Sequence, residues 1–255
     1  MAVLLVALGR TRAFRRVVAQ PRVARLLALA AALITVNWAI YIWGVNNGHV
    51  VETALGYFIN PLVTVLMGVF LLGERLRPWQ WAAMAVAGLA VVVLTVGYGR
   101  LPWVALVLAF SFGSYGLCKK RAGAPAIESV TFETLLVGPL AFGYLVWLGA
   151  TGTSAFAASG PWHAILFATT GIVTAVPLIC FGGAAIRVPM VTLGLLQYLT
   201  PTLQFLLGIL YFHEDMPALR WAGFVLVWVA LAIFTADSLR HRRRSARARA
   251  EVAVV

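Results

Sequence analysis

Of 255 residues, 62% are hydrophobic and only 11% are charged, too few charges to cover a surface facing water. That excludes an ordinary soluble enzyme or binding domain and makes lipid the main solvent. The charges are one-sided, 20 Lys and Arg against 8 Asp and Glu, but the basic residues fall between and beyond the apolar stretches. That placement argues against nucleic acid as a partner.

Residues 1–9 are apolar but too short to span a bilayer, and they lack the charged start and cleavage site of a signal peptide. Residues 10–25 carry six arginines. Apolar stretches follow at 23–44, 52–72, 79–97, 101–118, 129–150, 161–184, 190–212 and 217–236. Each is near the roughly 20 residues a helix needs to cross the hydrocarbon core. The expected fold is an all-α polytopic membrane protein with eight transmembrane helices. The tail beyond them holds six arginines between 240 and 249 and is expected to be disordered or lipid-associated.

Lys and Arg collect on the cytoplasmic side of membrane proteins. With eight spans and residues 10–25 inside, 18 basic residues lie in the cytoplasm and only Arg100 and Arg220 outside. Both termini are then cytoplasmic, in the plasma (inner) membrane.

A repeat runs through the chain at a fixed offset. Leu55, Pro61, Leu66, Gly68, Glu74 and Trp81 recur as Leu195, Pro201, Leu206, Gly208, Glu214 and Trp221. The spans 23–97 map onto 161–236, while 101–150 have no earlier partner except that residues 1–10 fall on 141–150. The repeat unit therefore has five helices, and we expect the chain to lack two that would precede it. A lineage with eight helices is the alternative. The implied parent is a ten-helix bundle of two inverted five-helix repeats, an architecture common among secondary transporters. The expected segments are 1–22, the remnant of a preceding helix with a basic loop; 23–97, the last three helices of a first repeat; 101–237, a complete second repeat; and 238–255, a basic tail.

The motifs that carry a resemblance lie in the apolar spans. Residues 37–76, NWAIYIWGVNNGHVVETALGYFINPLVTVLMGVFLLGERL, are similar to the RarD branch of the EamA-type drug/metabolite transporters. So are 108–120, LAFSFGSYGLCKK; 171–185, GIVTAVPLICFGGAA; and 193–214, LGLLQYLTPTLQFLLGILYFHE. The resemblance covers essentially all of 20–237. It implies ten helices in two inverted repeats, cytoplasmic termini, and export or permeation of small metabolites or drugs such as chloramphenicol. The first two helices of that pattern are missing here.

Polar groups inside membrane helices are costly and tend to face a bundle interior or a water-filled cavity. Pro61 and Pro201 have no N–H and free the carbonyls of Tyr57 and Gln197, with Asn60 and Thr200 adding side chains at the same depth. They mark either a midplane substrate site or a kink that only serves packing. Asn37, Trp38 and Tyr41 lie on one helix, and Asn37 and Tyr41 share a face. Pro177 is the repeat partner of Asn37 and is another expected interruption. Tyr115, with Ser111 and Ser114, and Gln197, Tyr198 and Gln204 complete the candidate substrate-binding set; for each, an interhelical hydrogen bond is the plainer alternative. Glu133 lies two turns inside its span and is the candidate coupling residue, binding a cation or proton unless it pairs with a base; the plainer alternative is snorkelling toward the cytoplasmic basic cluster Lys119–Arg121. Glu52 at a helix start reads as a cap. His49, His163 and His213 are expected to be solvated. Cys118 and Cys180 are expected as buried free thiols.

No metal spacing, nucleotide-binding glycine loop or hydrolase motif occurs, so no cofactor, metal or enzymatic activity is expected. The leading expectation is a secondary transporter working by alternating access on a small-molecule substrate in the lipid bilayer, with a homodimer as one arrangement. The alternatives are a non-transporting membrane binding or assembly protein, an inactive truncated transporter, or an intramembrane enzyme.

Overall fold

The computed structural model describes residues 1–98, 101–152, 160–210 and 218–252. Eleven helices and no strand occur among the described residues. They are α1 (Ala2–Ala7), α2 (Thr11–Val18), α3 (Pro21–Asn46), α4 (Val50–Leu72), α5 (Pro78–Tyr98), α6 (Trp103–Ala122), α7 (Ala126–Ala150), α8 (Pro161–Arg187), α9 (Met190–Gln197), α10 (Leu199–Leu210) and α11 (Ala218–Val252). Five are long and apolar enough to cross a bilayer: α3, α4, α5, α7 and α8. The other expected spans correspond to α6, to the pair α9 and α10, and to α11, whose apolar part Trp221–Asp237 is shorter.

The chain divides into two compact units, each drawing on both halves of the sequence: residues 1–38 with 114–188, and residues 39–113 with 189–255. In the first, α2 seats Val17 against Leu27 of α3 and against Ala122 and Ala124, with Phe132 of α7 beside them. In the second, α5 presents the alanine row Ala83, Ala87, Ala90 to Phe224, Val227, Ala230 and Phe234 of α11. Small side chains at i, i+4 and i+7 let two membrane helices approach closely without a hydrophobic driving force between them. Gly223 marks the tightest point, where a Cβ would sit 2.8 Å from Leu94. The guanidinium of Arg77, just ahead of α5, ties α11 at Asp237, with Nη2 at 2.5 Å. Leu55, Ile59 and Val63 use another face of α4 to meet Ala105 and Ala109 of α6.

Two carboxylates cap neighbouring helices in this second unit. Glu52 accepts the backbone N–H of Val104 at the start of α6 at 2.7 Å. Glu74 accepts the N–H groups of Met190 and Val191 at the start of α9, at 2.8 and 2.9 Å. The first helical N–H groups have no partner within their own helix, and a buried anion there is favoured by the helix dipole. Glu52 is thus more than a cap for its own helix.

Several expectations change. The span 190–212 is two helices, with the break at Tyr198. Pro201 gives no hydrogen to the Gln197 carbonyl, and the Tyr198 N–H falls back on Leu195 at 3.2 Å. Pro61 makes no such break, because α4 is packed from two sides and runs on to Leu72. Pro177 likewise lies inside an unbroken α8. The tail is helical rather than disordered, since α11 continues to Val252; Ala and Arg are strong helix formers and an apolar stretch leads into them. Both thiols are free, but Cys180 is exposed on a helix that buries little of itself. His49 is not merely solvated: it contacts Glu52 at 3.1 Å and stacks on Trp43. Glu214, His213, Arg100 and the His163 side chain lie outside the described residues.

Candidate functional site

Two polar clusters form inside the helical layers, one in each unit. In the first unit Lys119, in the last turn of α6, is buried and directed at α7. Its Nζ lies 2.5 Å from Oε1 of Glu133 and also donates to Ser129 Oγ. Ser129 and Glu133 are four residues apart, so they share a face of α7. Ser129 donates to Oε1 at 3.2 Å and Tyr115 donates to Oε2 at 3.2 Å. The ammonium lies 5.3 Å from the centre of the Tyr115 ring, within cation–π range. Phe181 of α8 stacks on that ring at 5.7 Å. Gly182 of α8 leaves room for the lysine stem, since a Cβ there would be 3.2 Å from Lys119 Cε. Lys119 is therefore no member of a solvated cytoplasmic cluster, although Arg121 beside it is exposed.

Glu133 also borders a cavity of about 300 Å³. Its walls include Thr35 and Trp38 of α3 and Thr134 and Gly138 of α7, and are otherwise apolar. Among the described residues Glu133 is the one charged residue lining it. Thr35 and Thr134 spend their hydroxyls on the carbonyls of Ala31 and Val130. Apolar walls with one fixed polar group are the usual make-up of a small-molecule site.

The second cluster is neutral. Asn60 of α4 donates to Gln197 Oε1 at the end of α9, at 3.1 Å, and Thr64 donates to the same oxygen at 3.4 Å. Gly194 holds the helices this close: a Cβ there would lie 2.8 Å from the Pro61 carbonyl oxygen. Gln197 Nε2 and Tyr198 Oη are buried without a hydrogen-bond partner among the described residues. Tyr198 packs into the core with Phe58, Leu195 and Phe224.

The candidate residues thus divide. Trp38, Tyr115 and Glu133 meet in the first unit, and Asn37 belongs to it on α3. Asn60, Pro61, Gln197 and Tyr198 gather in the second, where Tyr41 meets Tyr57 edge-on at 6.2 Å. Pro201 is buried in the first turn of α10. The Gln204 side chain lies outside the described residues. Ser111 is turned onto the Leu108 carbonyl. Of the readings open for Glu133, the structure shows pairing with a base, and the base is Lys119 of the Lys119–Arg121 cluster. Sequence reasoning missed Thr64, which sits one turn from Asn60 and was legible by that spacing.

The profile of the EamA-like transporter family matches residues 1–96. Protein RarD of Streptomyces exfoliatus is 59% identical over 98% of this chain and 79% of its own length. The chain belongs to the RarD branch of the EamA-like transporters. Protein RarD of Escherichia coli K12 is 43% identical over 87% of this chain and 75% of its own. The chloramphenicol-sensitive protein RarD of Pseudomonas aeruginosa is 34% identical over 92% and 78%. One solved crystal structure shares the fold, with a TM-score of 0.55 at 18% identity over 83% of this chain and 86% of that one. Family and apolar helices together make this a multi-pass membrane transporter.

Proposed function

We propose that the chain is a secondary transporter that moves small, weakly polar metabolites or drugs across the plasma membrane by alternating access. The observation that carries this is the cavity beside Glu133 in a chain of a transporter family: a largely apolar chamber whose one charged wall residue is neutralised from behind by Lys119. Such a wall holds a carboxylate at membrane depth with its charge matched by Lys119. The sequence repeat supports alternating access, since copies of a five-helix unit would insert in opposite senses. The distribution of Lys and Arg supports cytoplasmic termini and eight spans, with 17 of the 19 basic residues other than the buried Lys119 on one side. The name of the Pseudomonas relative makes chloramphenicol a first substrate to try.

Purified chain in sealed vesicles tests this directly. Labelled chloramphenicol and a panel of small aromatic metabolites should equilibrate faster than in empty vesicles for at least one compound. Glu133→Gln should slow that flux about tenfold or more, in line with 1.4 kcal/mol per decade. Flux equal to that of empty vesicles across the panel would end the transport reading. Flux unchanged by Glu133→Gln would remove this carboxylate from it.

A further inference from the structure

The first unit carries an electrostatic imbalance that transport does not explain. Its only carboxylates are Glu128 and Glu133. Both are buried: Glu133 is held by Lys119, and Glu128 lies 2.9 Å from Arg10 Nε. Arg10 and Val17 fasten α2 at its two ends, Arg10 to the first turn of α7 and Val17 into the core. On α2, Arg12, Arg15 and Arg16 occupy one face and are exposed. Phe14 and Val17 lie on the other face. Arg22 and Arg25 follow, exposed, in the opening turns of α3. Neither α2 nor α3 has an acidic residue in its first turn, so Arg12 and Arg22 sit unfavourably at the positive end of a helix dipole, while Arg15 and Arg16 lie in the last turn of α2. Five arginines within fourteen positions thus face outward with no carboxylate of their unit left to meet them. Any fixed counter-charge they meet comes from outside the unit.

We propose that α2 and the first turns of α3 form a docking surface for anionic phospholipid headgroups, which complete the charge balance of this segment. Location selects lipid over other anions. The surface runs directly into α3, a 26-residue span, so the arginines stand at the mouth of a membrane-crossing helix where headgroups lie. Guanidinium groups match phosphate with two parallel N–H donors and are weakly hydrated, which suits the headgroup layer. The ion pair Arg10–Glu128 is the positioning contact that keeps the arginine face of α2 outward. This inference is independent of any substrate.

The test uses the full chain in detergent, titrated with phosphatidylglycerol or phosphatidylcholine, with bound lipid counted by native mass spectrometry. Phosphatidylglycerol should bind about 10- to 100-fold better than phosphatidylcholine, and Arg12→Gln/Arg15→Gln/Arg16→Gln should lose most of that ratio, at roughly fivefold per arginine. The lysine triple variant should keep an intermediate preference, because charge survives while the bidentate geometry does not. Should the glutamine variant fail to fold, the wild type decides alone: raising salt from about 0.05 M to about 0.5 M must collapse the preference. Equal binding of the two lipids, or a preference untouched by salt or by the glutamine substitutions, overturns the proposal. So does displacement of the lipid by inorganic phosphate or a short oligonucleotide at equal charge concentration, which would assign the surface to a free anion or to nucleic acid.

Discussion

The two polar clusters solve the same problem in opposite ways. The Lys119–Ser129–Glu133–Tyr115 cluster is charged and closed: the ammonium has two oxygen acceptors and both carboxylate oxygens have donors. The Asn60–Thr64–Gln197–Tyr198 cluster is neutral and incomplete, with an amide nitrogen and a phenol left over. Charges in lipid cannot be left half-paired, whereas a neutral donor without a partner costs only about 1–3 kcal/mol. The first cluster is therefore rigidly specified, and the second sits beside the helix break at Tyr198, where the backbone is already irregular.

The largest effect should come from opening the closed cluster. Lys119→Met leaves Glu133 buried without its counter-ion and should cost about 3–5 kcal/mol in thermal unfolding of the purified chain. Lys119→Met/Glu133→Leu should recover most of that loss. A single variant no less stable than the wild type would mean the pair is not buried as described.

Next comes the contact that brings α9 onto α4. Gly194→Ala pushes a methyl against the Pro61 carbonyl and should cost about 1–3 kcal/mol by the same measurement. Gly138→Ala on α7, where a Cβ meets nothing within 4 Å, should be neutral or slightly favourable. If the two cost the same, the close approach at Gly194 is wrong.

Smaller effects separate the paired and unpaired members of the neutral cluster. Asn60→Ala removes a made hydrogen bond and should cost about 1 kcal/mol. Tyr198→Phe removes a hydroxyl with no partner, and should change stability by less than about 0.5 kcal/mol or raise it. A Tyr198→Phe loss larger than the Asn60→Ala loss would show the phenol to be engaged and erase the contrast between the clusters.

Much of this was legible in the sequence, for reasons that can be named. Apolar runs of about 20 residues mark helices because a backbone in lipid must satisfy its own hydrogen bonds. Asn60, Gln197 and Tyr198 stood out because amides and phenols are rare in such runs. The closure of the first cluster was hidden, because Lys119 looks like the start of a basic loop until α6 continues to Ala122 and turns it onto Ser129 and Glu133. The two prolines were indistinguishable as residues. Only packing separates them: α4 is gripped on two faces, while α10 leaves Leu199, Leu203, Leu206 and Leu210 exposed.

By itself the sequence determined which stretches are apolar helices, which family they belong to, and that lipid is their main solvent, since composition and periodicity act over one segment at a time. Tertiary structure decided which groups pair. A hydrogen bond or ion pair such as Lys119–Glu133 or Asn60–Gln197 depends on the rotation and approach of two helices, and those are fixed by glycines and alanines whose significance appears only at a contact.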